Sequence, residues 1–85
     1  MESNEVLMLP VISKTITSIG HCPKANEMFV LFTSGTPYKY SDITAEECNS
    51  IRTDVSIGSK LRRVVVEKLY AKLSVESPDF KRLKY

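Results

Sequence analysis

The chain has little of what most enzyme chemistry requires. Its 85 residues include one histidine and two cysteines, and no apolar run approaches the roughly 18 residues that a membrane span needs. Cys22 and Cys48 are far apart and lie outside any CxxC, and with His21 alone they are too few for a zinc site. They are expected to stay reduced and to pack as small hydrophobes, with a disulfide conceivable only in an exported protein. His21 precedes Cys22 directly. Neighbours on a strand point to opposite faces, which places the two poorly as a catalytic dyad.

Phosphate and metal motifs are missing as well. Gly58-Ser59-Lys60 has the look of a P-loop end, but Thr53 stands where the loop needs a glycine and Lys60 does not directly follow Gly58. What survives is a helix start that offers free amides to an anion or is simply capped. The paired carboxylates Glu46-Glu47 fall on the first turn of an expected helix, where they favour its dipole. No acidic cluster has metal-site spacing. The expectation is therefore a protein that is not an enzyme, with no catalytic residue, no metal and no cofactor. Residues 6–12 are apolar, but Glu2 and Glu5 precede them in place of a basic leader region, so they do not read as a signal peptide. A cytoplasmic location, with no membrane contact, is expected.

What is present describes one folded domain over residues 1–85. Hydrophobic residues make up 42% of the chain and charged residues 26%, which is ordinary for a globular protein and argues against wholesale disorder. So short a chain buries only about 60–65% of its unfolded surface, so oligomerisation would help it. The charge is uneven. Residues 1–56 carry four cations against seven acids, a net −3, whereas residues 57–85 carry eight against three, a net +5. A basic C-terminal third attracts phosphates, although a solvated helix face is also commonly charged.

Turn chemistry and periodicity predict the elements. Residues 14–20 are β-prone and end at Gly20, and residues 21–26 read as a turn. Residues 27–33 form the strongest strand, with Met28, Val30 and Phe32 on one face and Phe29 and Leu31 on the other. A strand that is apolar on both faces needs two covers. One is a helical layer; the other is the segment around residues 6–12 or another subunit. Ser34-Gly35 turns the chain into a third strand, residues 37–41, on which Tyr38 and Tyr40 share a face and Lys39 takes the other. Thr44 and Glu47 form a capping box for a helix over about residues 44–54, with Cys48, Ile51 and Val55 as its apolar stripe.

Ser59 is the expected N-cap of a second helix whose stripe is Leu61, Val64, Val65, Leu69, Tyr70 and Leu73. The weak helix propensity of Val64-Val65-Val66 leaves a strand over residues 62–70, in place of helix, as the competing reading. Ser77-Pro78 closes the regular pattern, and residues 75–85 form a basic tail with Phe80, Leu83 and Tyr85 as apolar anchors. Together these elements predict an α+β fold: a three- to four-stranded antiparallel β-meander packed on two C-terminal helices.

The tyrosine strand is the natural candidate site. Tyr38 and Tyr40 can stack bases while Lys39, Lys60, Arg62 and Arg63 hold phosphates, with Ser59 at the helix start. The same rings can equally fill the space between sheet and helix.

Several of these residues carry a family resemblance. Ile16-Thr17-Ser18-Ile19-Gly20-His21, Pro23, the apolar strand to Phe32, Ser34-Gly35, Tyr38-Lys39-Tyr40, Glu46 and Ser56-Ile57-Gly58-Ser59 together resemble the KTSC domain over about residues 14–74. That family is named for its place at the C-terminus of some lysyl-tRNA synthetases and also includes small free-standing bacterial and phage proteins. This chain has Lys60-Leu61-Arg62-Arg63 where the family has aromatic and asparagine residues. The resemblance implies a small α+β binding module, and its synthetase context implies RNA. The leading expectation is thus a non-enzymatic nucleic-acid-binding module. The alternative is an oligomeric phage-type accessory or inhibitor protein that binds a small anionic nucleotide or a host protein.

Overall fold

The chain folds around strand β4 (Glu27–Phe32), which sits in the middle of a five-stranded antiparallel sheet. The computed structural model describes residues 6–74, 76, 78 and 80–84. Strands β1 (Val6–Leu7) and β2 (Leu9–Pro10) are followed by β3 (Ile16–Cys22), β4 and β5 (Pro37–Tyr40). Helices α1 (Ala45–Arg52) and α2 (Ile57–Val65) come next, then β6 (Tyr70–Lys72), a 3-10 turn over Phe80–Arg82 and β7 (Leu83–Lys84). The sheet order is β2-β3-β4-β5-β6, and β1 pairs with β7 in a separate two-stranded ribbon. The architecture is α+β, as expected, with one strand more than the meander allowed.

Both faces of β4 are covered by the chain itself. On the front, Met28 and Val30 join Ile16, Ile19, Tyr40, Ile43, Cys48, Ile51, Ile57 and Leu61 in the larger core, with Phe32 at its margin. On the back, Phe29 packs with Val6, Met8, Leu73 and Leu83, and Leu31 flanks them. Burying such a side chain contributes about 1.5–3 kcal/mol, so neither cover is dispensable. The N-terminal segment supplies the second cover together with the C-terminal tail, whose β7 runs parallel to β1. The tail therefore docks on its own domain through Leu83. Tyr85 and Ser77 lie outside the described residues.

Local sequence explains the turns. The loop between β3 and β4 closes at Asn26, whose φ of 50° is one that asparagine tolerates well. The loop between β4 and β5 needs a positive φ of 91° at Gly35, whose amide donates to the Phe32 carbonyl at 2.9 Å. A register shift between Ile16 and Ser18 lets Ile16 and Ile19 enter the same core although their spacing is odd. The Thr44–Glu47 capping box forms as expected, with the Glu47 amide donating to Thr44 Oγ1 and the Thr44 amide to Glu47 Oε1.

Four local expectations are corrected. His21 and Cys22 belong to β3 rather than to the turn, because they pair with Met28 and Glu27. Val55 is fully exposed, since α1 ends at Arg52 under a cap at Thr53. Helix α2 starts at Ile57, not after Ser59. Buried Ile57 and Leu61 anchor it one turn apart, and Ser56 takes the N-cap position. Finally, α2 stops at Val65. The valine run is a weak helix former, and the open edge of β5 binds residues 70–72 instead. The expected stripe is split around that strand: Leu73, just after it, enters the back core, while Leu69, just before it, is left exposed.

Gly20 marks the closest approach of the back layer. A Cβ there would lie 2.7 Å from Met8 Sδ and 2.8 Å from both the Leu7 carbonyl oxygen and Val6 Cγ1. Gly20→Val is expected to lower unfolding free energy by about 1–3 kcal/mol through overpacking. Urea denaturation followed by circular dichroism checks this, and an unchanged midpoint would show that the layer yields freely.

Candidate functional site

The front face of the sheet is covered unevenly. Helices α1 and α2 close it over β3 and β4, while the end formed by β5 and β6 stays open. The pairing of β5 with β6 sets Tyr40 opposite Tyr70 and Tyr38 opposite Lys72. Strand alternation then brings Tyr38, Tyr40, Tyr70 and Lys72 onto one face. The rings touch as a group. Tyr38 and Tyr40 lie nearly parallel with centroids 6.4 Å apart, and Tyr70 tilts against both, at 6.1 Å and 6.2 Å. Phe32 meets Tyr38 edge-on at 5.4 Å. Such contacts each contribute about 0.5–1.5 kcal/mol beyond burial, so the cluster also fastens β6 to the sheet.

These four rings line an open hollow of about 560 Å³, completed by Thr15, Thr33, Ser34 and Thr36 from the strand ends and the β4–β5 turn. A narrower apolar seam of about 270 Å³ adjoins it and shares Thr15, Phe32 and Tyr40. Arg62, Gly58, Leu61 and Val65 form the α2 side of that seam. Gly58 lets the helix start sit close to β3, since a Cβ there would be 3.2 Å from Thr15 Oγ1. Arg62 also reaches a shallow hollow of about 390 Å³ with Ser56, Ser59 and Arg63.

The structure thus sorts the residues proposed from sequence. Tyr38 and Tyr40 come together, and Arg62 stands in the neighbouring seam. Ser59 and Arg63 face the second hollow with Arg62. Lys60 lies on α2 outside these hollows. Lys39 points to the back of the sheet, where its Nζ pairs with Glu27 at 3.4 Å. Arg82 shares that carboxylate at 3.7 Å and lies over the Phe29 ring. Tyr70 and Lys72 are the residues that sequence reasoning missed. The alternation of Tyr70 and Lys72, following a valine run that resists helix, was the available signal.

The three tyrosines are not equivalent. Tyr40 is 8% exposed and belongs to the core, Tyr38 is half-buried, and Tyr70 is 66% exposed. Burial pushes the Tyr40 phenol above its ordinary value, and the neighbouring Tyr38 and Tyr70 act in the same direction. Elsewhere, burial raises the Cys48 thiol, which Arg52 partly opposes. His21 and Cys22 face opposite sides of β3: Nε2 of His21 donates to the Ile43 carbonyl at 2.6 Å, while Cys22 Sγ meets Arg82 on the back. Among the described residues, no group of three or more His, Cys, Asp or Glu side chains comes together, and no helix is long and apolar enough to cross a membrane.

A small α+β domain with an aromatic hollow at the open end of its sheet is the class that this geometry defines. The family model of the KTSC domain matches residues 12–70, and the chain belongs to that family. A crystal structure of a KTSC domain protein from Yersinia pestis has the same fold, with a TM-score of 0.76 at 24% identity over 81% of this chain and 99% of that one. No curated protein matches the chain.

The raised Tyr40 phenol has a pH consequence of definite sign. The unfolded chain releases this proton near the ordinary value of 10.0, before the folded one does. Stability from this group is therefore complete below that value and is lost as pH rises through the folded pKa. Tyr40→Phe is expected to flatten the alkaline decline, as read from urea midpoints on either side of the phenol range. An equal decline in both proteins would refute it.

Proposed function

We propose that the domain is a non-enzymatic binding module for nucleic acid, RNA first, that uses the tyrosine hollow and the basic side chains of α2, Arg62 and Arg63 in its last turn. The observation that carries this reading is the group of rings from β5 and β6 gathered in one open hollow, with Arg62 in the adjoining seam. Ring faces are sequence-tolerant stacking surfaces, and a guanidinium beside them suits a phosphate backbone. The Ser56–Ser59–Arg62–Arg63 hollow favours a second reading, in which the ligand is a small anionic nucleotide rather than a polymer.

Fluorescence anisotropy with labelled RNA at low salt tests the proposal. Binding is expected in the micromolar range and should weaken as salt rises, with Arg62→Gln lowering the salt slope by about one. Tyr38→Ala should cost about 1–3 kcal/mol of binding free energy. Competition by free mononucleotides at matched concentration would favour the second reading. Failure of any RNA or DNA to bind at tens of micromolar would end the first.

A further inference from the structure

The hollow does not offer its rings equally, and this asymmetry bears on the kind of nucleic acid it takes. Tyr40 is spent on the core, so the ring surface available to a ligand comes from Tyr70 and the outer flank of Tyr38. Tyr70 stands on β6, the edge strand of the sheet. The lysines around this edge also differ. Lys39 pairs with Glu27 on the back, and Lys68 pairs with Asp42 at 3.5 Å. Lys72 is exposed and lies directly across from Tyr38, on the ring face.

We infer that the hollow takes an unpaired, single-stranded segment, with Tyr70 as its stacking surface and Lys72 as a phosphate contact, both supplied by β6. This deepens the nucleic-acid reading and rests on it. A duplex keeps its base faces inside the stack and cannot lay one on a ring set in a hollow, whereas an unpaired base can. The volume, about 560 Å³, is of the size that holds a small organic group rather than a helix. Hydroxyls of Ser34 and Thr36 at the turn side offer donors and acceptors to the edge of such a base, and Thr33, whose Oγ1 donates to the Lys14 carbonyl at 3.4 Å, adds an acceptor. A strand passing along the sheet edge reaches Lys72 as its base enters beside Tyr70.

The test is anisotropy on the full chain with a short labelled oligouridylate and with a duplex RNA of the same length. The single strand is expected to bind at least about tenfold more tightly. Tyr70→Leu keeps an apolar side chain against Tyr38 and Tyr40 but removes the flat ring, and it should weaken the single strand by about tenfold, while Tyr70→Phe should bind as the parent does. Lys72→Gln should lower the slope of log affinity against log salt by about 0.7. Lys24→Gln, in the turn at the opposite end of β3 and β4, should leave it unchanged. Circular dichroism confirms that each variant is folded. Equal binding of duplex and single strand, or parent-like binding by Tyr70→Leu, overturns the inference while leaving the broader reading in place. Absence of binding to any nucleic acid removes both.

Discussion

Met28, Val30 and Phe32 make one face of β4 apolar, and Phe29 and Leu31 do the same for the other, so the central strand has no side that water can occupy. The rest of the chain is arranged to meet that demand. The helices close the front. The back is closed by two short segments, β1 and β7, with Met8 and Leu73 in the same buried cluster. Gly20 allows this thin layer to lie close, because any side chain there would collide with Val6 and Met8. No second subunit is needed to cover that face.

The same constraint leaves the hollow open. Two helices of eight and nine residues are long enough to cover β3 and β4 but not the outer strands. The front face of β5 and β6 therefore keeps its rings without a lid. Tyr40, nearest the helices, is drawn into the core, and Tyr70, on the edge, is left out. The cluster is thus graded from structural to accessible across a few ångströms. Lys39 goes to the back with Glu27 for an equally simple reason: it lies between two tyrosines that share the front.

Much of this was legible residue by residue. The two-faced strand, the Ser34-Gly35 turn, the Thr44–Glu47 capping box and the shared face of Tyr38 and Tyr40 all follow from short-range rules. The errors came where local preference and tertiary need disagreed. Leu61, Val64, Val65, Leu69, Tyr70 and Leu73 have a helical spacing, yet the hydrogen-bonding edge of β5 took Tyr70–Lys72 as a strand. Ser59 is a good cap in isolation, but the burial of Ile57 moved the helix start upstream. The odd spacing of Ile16 and Ile19 was reconciled by a register shift that alternation alone does not foresee.

By itself, then, the order of residues determined the three central strands, the Ser34-Gly35 turn, the first helix, the shared face of Tyr38 and Tyr40 and the family to which the chain belongs. These are decided by interactions within a few residues. Only the tertiary structure decided that the N- and C-terminal segments share the back cover, that Tyr70 and Lys72 join the ring face and that Lys39 shares Glu27 with Arg82 on the back. Those outcomes depend on which open strand edge and which bare apolar face remained to be satisfied once the central strand was in place, and such partners are distant in sequence.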